Sequence, residues 1–319
     1  MSDNKKVVIA RVLLPAGKEL LNEEFDLIEG GLESGPEQLA GMVGGAAAIV
    51  ADPTVKIDAA VLDAAGDQLE VVANFAVGYD NIDLGACRER GVTVTNTPGA
   101  LTNATAELAV ALTLAAARNT SDAERRMRAG EWKGWDPGDY LGLELSGATI
   151  GVVGMGRIGR RYAELMYGFG GDILYTSRQF KEEAEVKLGA RKVELHELLA
   201  ESDVVSLHLP SAPDTDRLID TAALALMKPT AVLVNTGRGS LVDSDALAVA
   251  LENGEIGAAG LDVYEGEPEL PRRLLDAPRT ALTPHIGSAT FTSRNAMARL
   301  VAQNVIAVLD GEEPRNPVG

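Results

Sequence analysis

The sequence is poor in cysteine, histidine, aromatic residues and positive charge. Its 319 residues include one cysteine, three histidines and 4% aromatic residues. A single cysteine, Cys87, excludes an internal disulfide, and with no second ligand nearby it is interpreted as structural, so no metal site is predicted. The chain has no apolar run of roughly 18 residues and no signal-peptide core at its start, which predicts a cytoplasmic protein.

The charge balance is strongly acidic. There are 47 acidic against 29 basic side chains, a net charge of -18. Such a surface repels phosphate backbones and anionic membranes, so neither nucleic acid nor membrane is expected as a partner. A hydrophobic fraction of 46% with 34 glycines is typical of a globular α/β chain.

The length favours two domains, because a single hydrophobic core rarely grows to this size. Short β-branched runs at 7–9, 46–50, 71–73 and 92–95 alternate with helical stretches, which predicts a first α/β domain over residues 1–100. The helical spacing of apolar residues from 288 to 309 predicts that 288–319 returns to this domain. The region between, 101–287, is the predicted second domain.

The second domain has its own series of apolar runs. A helix rich in alanine and leucine is predicted at 102–117 between the domains, followed by strands at 148–153, 173–176, 204–209, 231–235, 257–263 and 280–283. Strands that are apolar on both faces are typical of parallel sheets covered by helices. The predicted fold is therefore α/β, with two doubly wound parallel-sheet domains.

A glycine-rich turn follows the first of these strands. Gly154, Gly156 and Gly159 form a G-x-G-x-x-G pattern between a buried strand and a helix, the context in which it binds the pyrophosphate of a dinucleotide. The next strand ends at Ser177 and Arg178, without the acidic residue that would bind the ribose of NAD. An arginine there suits a 2'-phosphate, so NADP is preferred over NAD.

Three further segments follow strands and carry candidate catalytic side chains: Arg238, Glu267 and His285. Ligand sites of open α/β sheets lie beyond the carboxyl ends of their strands. Histidine is the expected proton donor, Glu267 its partner, and Arg238 a carboxylate-binding cation. Glu265 is the alternative acid, and Asp262 is expected to contact the cofactor or tune His285, with capping of a turn as the alternative.

With these segments, the chain resembles the D-2-hydroxyacid dehydrogenase family over nearly its whole length. The resemblance implies a Rossmann-type cofactor domain and a flavodoxin-like substrate domain, with the backbone N–H groups of Val77 and Gly78 binding substrate. It also implies cofactor contacts at Thr105, Gly154, Gly156, Arg157, Ile158, Gly159, Ser177, Arg178, Pro210, Thr215, Thr236, Gly237, Asp262 and Gly287. Segments 130–135 and 174–178 look most like glyoxylate and hydroxypyruvate reductases.

The remaining histidines and the tryptophans have other expected places. His208 is expected to pack beneath the cofactor and His196 to be solvated. Trp132 and Trp135 are expected to shape the substrate pocket or a subunit interface, with core packing as the alternative. Because the family is usually dimeric through this region, a homodimer is expected.

The predicted function is reduction of small 2-keto acids, such as glyoxylate and hydroxypyruvate, by NADPH or NADH. Three alternatives remain within the family: a bulkier 2-keto acid, phosphite, or 3-phosphoglycerate as substrate. A glutamate rather than an amide in the triad disfavours formate oxidation. A non-catalytic nucleotide sensor on the same scaffold is the alternative from another class.

Overall fold

The computed structural model describes residues 4–319, which form two compact units. One unit contains the described residues up to Leu101 together with Ser288–Gly319, and the other is Thr102–Gly287. The strands are β1 (Lys6–Ile9), β2 (Asp26–Glu29), β3 (Ala48–Ala51), β4 (Val71–Asn74), β5 (Thr93–Thr95), β6 (Ile150–Val153), β7 (Ile173–Thr176), β8 (Arg191–Lys192), β9 (Val204–Leu207), β10 (Val232–Asn235), β11 (Ala258–Leu261), β12 (Thr280–Leu282) and β13 (Pro317–Val318).

The helices alternate with these strands. They are α1 (Pro15–Asn22), α2 (Pro36–Val43), α3 (Ala59–Ala65), α4 (Leu84–Glu89), α5 (Thr102–Ala117), α6 (Thr120–Arg128), α7 (Arg157–Met166), α8 (Glu182–Leu188), α9 (Leu195–Glu201), α10 (Thr221–Leu226), α11 (Ser244–Asn253), α12 (Arg272–Asp276) and α13 (Phe291–Leu309), with 3-10 turns at Tyr167–Phe169 and Gly239–Leu241. Aspartates at 58, 83, 220 and 243 accept hydrogen bonds from the first turns of α3, α4, α10 and α11, which fixes where these helices begin.

The sheet of the first unit has the order β13-β5-β4-β3-β1-β2. Its central strands β3 and β4 are buried along their whole length because helices cover both faces. Helix α13 packs against α1 and β4 within this unit. The order of β2, β1, β3, β4 and β5 is that of a flavodoxin-like sheet, as predicted.

The sheet of the second unit has the order β12-β11-β10-β9-β6-β7-β8, and its strand pairs are parallel. The strand order reverses between β6 and β9, which is the switch point where ligands bind in doubly wound sheets. Helix α5 packs on α7, β10 and β11 through small side chains such as Ala106, Ala109 and Ala116. The predicted Rossmann-type arrangement is confirmed.

The structure differs from the prediction mainly at the sheet edges. Strand β13 is antiparallel to β5, so the prediction of a wholly parallel first sheet is wrong at this edge. Pro317 has no N–H to donate, and such a residue is tolerated at a sheet edge. Strands β2 and β8 were not predicted, because β2 (Asp-Leu-Ile-Glu) has only two apolar residues and β8 (Arg-Lys) has none, so neither forms an apolar run.

Candidate active site

The glycine-rich turn joins β6 to α7. Gly154 has a φ of +98°, a left-handed conformation that favours glycine, and its amide donates to the Thr176 carbonyl at 3.0 Å. At Gly159 a Cβ would lie 2.0 Å from the Gly154 carbonyl oxygen, so only glycine allows the helix this close to the turn.

Gly156 has a different role, because a Cβ there would meet no atom within 4 Å. It is the N-cap residue of α7, and no side chain within residues 4–319 satisfies the first N–H groups of that helix. Open space above unsatisfied N–H donors and the positive end of a helix dipole suits an anion. Arg157 and Ile158 follow as the first helical residues, Arg157 being exposed.

Two buried polar atoms near the strand ends also lack partners within residues 4–319: Nδ1 of His208 and Oγ1 of Thr236. His208 follows β9, accepts or donates a hydrogen bond with Ser206 through Nε2 at 2.9 Å, and lies against the Tyr162 ring. Burial lowers the pKa of His208 to about 3, so the imidazole is neutral at physiological pH. Buried polar atoms without partners are rare in folded proteins, and a polar ligand would satisfy them. The residues present therefore fit a dinucleotide.

The rim of this region holds the predicted adenosine-side residues. Arg178, two residues beyond β7, has a side chain that is 79% exposed, and its guanidinium lies 3.9 Å from the Asp214 carboxylate. Ser177 is hydrogen bonded to the carbonyl of Gln179. The Thr215 hydroxyl is held within its own loop, donating to the Pro210 carbonyl at 3.0 Å.

His285 and Glu267 form the central pair of the site. Nδ1 of His285 lies 2.7 Å from Oε2 of Glu267, while Oε1 of that carboxylate accepts from the Tyr264 amide at 2.7 Å. The hydrogen bond to Glu267 raises the pKa of His285 above its ordinary value, against the opposing effect of burial. Nε2 of His285 has no hydrogen-bond partner in the described part of the chain, so this atom is available to exchange a proton.

The pKa of Glu267 changes in the opposite direction. Burial opposes its ionisation, but the hydrogen bonds from His285 and the Tyr264 amide, with the charge of Arg238, outweigh burial and lower this pKa. Glu265, the alternative acid, instead pairs with Arg217 at 2.9 Å. The geometry thus brings Glu267, and not Glu265, to the histidine.

Asp262 supports the loop that carries the histidine. It is 1% exposed, and its carboxylate accepts from the amides of Ile286 and Gly287 and from the Thr283 hydroxyl, each at 2.7 Å. The Asp262 carbonyl accepts from the amide of His285, which has a left-handed φ of +51°. Burial raises the pKa of Asp262, although these hydrogen bonds oppose the rise.

The loop is also fixed from α5. The Thr105 hydroxyl donates to the Gly287 carbonyl at 3.1 Å, so both predicted residues meet at one point. A Cβ at Gly287 would lie 3.1 Å from a carboxylate oxygen of Asp262, which leaves little room for any side chain there.

Arg238 lies at the end of the segment that follows β10. Its guanidinium donates to the Gly237 carbonyl at 2.9 Å, and its charge acts on both Glu267 and His285. Asn235 fixes this segment from both sides: its amide nitrogen donates to the Arg238 carbonyl, and its oxygen accepts from the Gly237 amide. The second unit therefore combines a cation, a carboxylate and a histidine near its strand ends.

In the first unit, the turn after β4 holds Val77 and Gly78. Asn96 donates to the Val77 carbonyl at 2.7 Å, and Asn74 donates to the Gly78 carbonyl at 2.8 Å. Both carbonyls are thus held, while the N–H groups of Val77 and Gly78 donate to no acceptor within residues 4–319. A turn with two adjacent free N–H groups is able to bind an anion.

Sequence reasoning missed the residues that position these groups: Asn74, Asn96, Asn235, Tyr264 and Thr283. Their partners are distant along the chain or are backbone atoms, so residue spacing gives no signal of their role. For Asn74 and Asn235 one signal was present, since each is a polar residue that ends an apolar strand. The prediction that the tryptophans could pack in the core is wrong, since Trp132 and Trp135 are 58% and 85% exposed. His196 is exposed, as expected.

Comparison with known proteins follows the same division of the chain. Residues 110–287 match the family model described as D-isomer specific 2-hydroxyacid dehydrogenase, NAD binding domain. The chain belongs to this family. As a D-2-hydroxyacid dehydrogenase it is an oxidoreductase that depends on NAD or NADP, and the glycine turn of its second unit lies within the matched residues.

Similar proteins align with this D-2-hydroxyacid dehydrogenase over nearly its full length. A glyoxylate reductase of Thermococcus onnurineus is 47% identical over 315 residues, covering 97% of this chain and 94% of that protein. A solved structure from Thermus thermophilus has a TM-score of 0.91 at 43% identity, covering 98% of this chain and all of that one. An NADPH-dependent glyoxylate/hydroxypyruvate reductase of Sinorhizobium meliloti, solved with NADP and malonate, has a TM-score of 0.88 at 35% identity and covers 99% and 97% of the two chains.

The described part of the dehydrogenase contains neither a candidate membrane-spanning helix nor a candidate metal site. Within residues 4–319, no helix combines the length and apolar character needed to cross a bilayer. The same residues contain no cluster of histidine, cysteine, aspartate or glutamate placed to hold a metal ion.

Proposed function

We propose that this D-2-hydroxyacid dehydrogenase reduces small 2-keto acids, glyoxylate and hydroxypyruvate among them, to D-2-hydroxy acids, with NADPH preferred over NADH. The observation that carries the proposal is the hydrogen bond of 2.7 Å between His285 Nδ1 and Glu267 Oε2. It orients the histidine and leaves Nε2 as the proton-transferring atom. A carbonyl being reduced needs such a donor.

The chain's residues divide the chemistry between them. The nicotinamide cofactor, when bound, supplies the hydride. His285 donates a proton from Nε2 to the carbonyl oxygen, and Glu267 stabilises the imidazolium before that transfer. Arg238 binds the carboxylate of the keto acid through its guanidinium, whose planar donors match a carboxylate. The free N–H groups of Val77 and Gly78 are proposed as further donors to the substrate.

The relatives support the substrate class. Full-length matches from several organisms are named glyoxylate reductases, and a structural neighbour is a glyoxylate/hydroxypyruvate reductase. A small acid fits the proposed site, because Arg238 would bind its carboxylate and His285 its carbonyl oxygen. The nucleotide-sensor alternative has no use for the Glu267–His285 pair.

The cofactor preference is proposed from the end of β7. Arg178 is exposed there and β7 itself ends without an acidic residue, so the strand end offers a cation to a 2'-phosphate. The neighbour from Sinorhizobium meliloti is described as NADPH-dependent, which supports the same preference. A cytoplasmic location is also part of the proposal.

A homodimer is part of the proposal. Trp132, Trp135 and Leu141 are 58%, 85% and 75% exposed, and all lie in the stretch between α6 and β6. Exposed tryptophans and leucine on one segment are typical of an interface. Sedimentation equilibrium tests this: a monomer at micromolar concentration would contradict it, and a dimer that Trp135→Lys dissociates would support it.

The function is tested by initial rates of cofactor oxidation with glyoxylate, hydroxypyruvate, pyruvate and phenylpyruvate, each against NADPH and NADH. Fast turnover of glyoxylate and hydroxypyruvate with NADPH is the expected result. Activity restricted to phenylpyruvate would exclude the proposed substrate class, and tight NADPH binding without any turnover would favour the sensor. His285→Ala should lower turnover by roughly 100-fold to 10,000-fold, the usual contribution of a general acid.

A further inference from the structure

The ion pair between Arg178 and Asp214 joins the two sides of the cofactor region. Strand β6 lies between β7 and β9, with Val153 paired to Thr176 on one side and to Leu207 on the other. Arg178 follows β7, and Asp214 lies in the loop that follows β9. Their 3.9 Å contact therefore spans the glycine turn at the switch point of the sheet.

The loop that carries Asp214 has a fixed backbone. The Thr215 amide donates to the Ala212 carbonyl at 2.9 Å, and the Thr215 hydroxyl accepts from the Ala212 amide at 2.9 Å. This turn holds Asp214 near the guanidinium even though the Asp214 side chain is 70% exposed. The carboxylate can rotate, but its backbone cannot retreat without breaking the turn.

We propose that Asp214 is a specificity-determining residue, which competes with the 2'-phosphate of NADPH for Arg178 and so limits the preference for NADPH over NADH. The inference rests on the proposed role of Arg178. A phosphate bound to the same guanidinium would lie within several ångströms of the Asp214 carboxylate, and like charges at that separation repel. NADH carries no 2'-phosphate and is not subject to this repulsion.

Removing the carboxylate should therefore tighten binding of the 2'-phosphate selectively. Asp214→Asn keeps the size of the side chain and its turn position. Because both partners are exposed, the gain is modest: roughly two- to tenfold in dissociation constant, the range expected for an exposed charge acting on a doubly charged phosphate. The gain should shrink as salt is raised, because screening weakens exposed charge interactions.

The test uses two mononucleotides that differ only in the 2'-phosphate: adenosine 2',5'-bisphosphate and 5'-AMP. Their binding is measured by titration calorimetry on the full chain, wild type and Asp214→Asn. Asp216→Asn is the matched control, since Asp216 is exposed in the same loop but lies beside Arg217. Both variants change the net charge equally.

The expected result is tighter binding of the bisphosphate by Asp214→Asn alone, with 5'-AMP unchanged. Equal tightening by Asp216→Asn, or equal tightening of both nucleotides, would overturn the proposal, because the effect would then be net charge. Arg178→Ala separates failure of the Asp214 proposal from failure of the proposed role of Arg178 in binding the 2'-phosphate. If it weakens only the bisphosphate while Asp214→Asn has no effect, competition is refuted and the cofactor proposal stands. If Arg178→Ala affects neither nucleotide selectively, both are refuted.

Discussion

Gly156, the N-cap of α7, and Gly159, in the first turn of that helix, lie three residues apart, yet their substitution should change the stability of the fold in opposite directions. Gly156 is the N-cap of α7 and has open space where a Cβ would project, with a φ of −80° that any residue adopts. Serine is a preferred N-cap residue, since its oxygen accepts from the first free N–H groups. Gly156→Ser should therefore leave the fold as stable as the wild type or more so.

The same variant should bind the cofactor poorly. Its side chain occupies the space above the N–H groups and its hydroxyl takes one of these donors from the pyrophosphate. Crowding of this kind costs about 1–3 kcal/mol, which is roughly 5- to 150-fold in dissociation constant. NADPH and NADH should be weakened equally, because both carry the pyrophosphate.

Gly159→Ala is the contrasting variant. Its methyl group would lie 2.0 Å from the Gly154 carbonyl oxygen, so α7 must move away from the turn. Alanine's better helix propensity offsets part of the cost, and a net loss of about 1–2 kcal/mol in unfolding free energy is expected. Urea unfolding without cofactor gives the stabilities, and quenching of NADPH fluorescence gives the affinities. Wild-type NADPH affinity in Gly156→Ser would refute the assignment of this turn to the pyrophosphate.

Three further outcomes are expected. Reduction needs protonated His285, so kcat/KM for glyoxylate should fall as the pH rises through the raised pKa of this residue. Glu267→Gln removes the charge that raises this pKa, so in that variant the fall in kcat/KM should begin at lower pH. His208 is already neutral because burial lowers its pKa to about 3, so His208→Gln should leave the position of that fall unchanged, and a shifted profile would show that His208 is the titrating group. Asn96→Ala frees the Val77 carbonyl and should raise the KM for glyoxylate about three- to tenfold, the value of one hydrogen bond, with the KM for NADPH unaltered.

Helix α5 shows what local sequence was able to predict: its observed bounds equal those read from the alanine- and leucine-rich run. The two sheets were predicted for the same reason, since strands apolar on both faces must be covered by helices. Where a strand is short, polar or at an edge, as in β2, β8 and β13, the pattern is lost, because an edge strand is stabilised by its neighbour rather than by its own burial.

The candidate catalytic residues were predictable as types at strand ends, and Glu267 was the expected partner of His285, with Glu265 left as the alternative. Glu265 and Glu267 are both acids in one loop, and only the folded chain turns Glu267 toward His285 and Glu265 toward Arg217. Likewise, Asn96 reaches Val77 over 19 residues, and Thr105 reaches Gly287 over 182. Such contacts join segments that sequence order separates.

The family, the two-domain α/β architecture and the residue types proposed to carry the chemistry could thus be inferred from the sequence, because burial patterns and glycine spacing are local properties. The fold then settled which atoms meet: Glu267 rather than Glu265 with His285, the held carbonyls of the Val77–Gly78 turn, and Arg178 with Asp214. Hydrogen bonds and ion pairs act over a few ångströms, and only the completed fold sets distances at that scale.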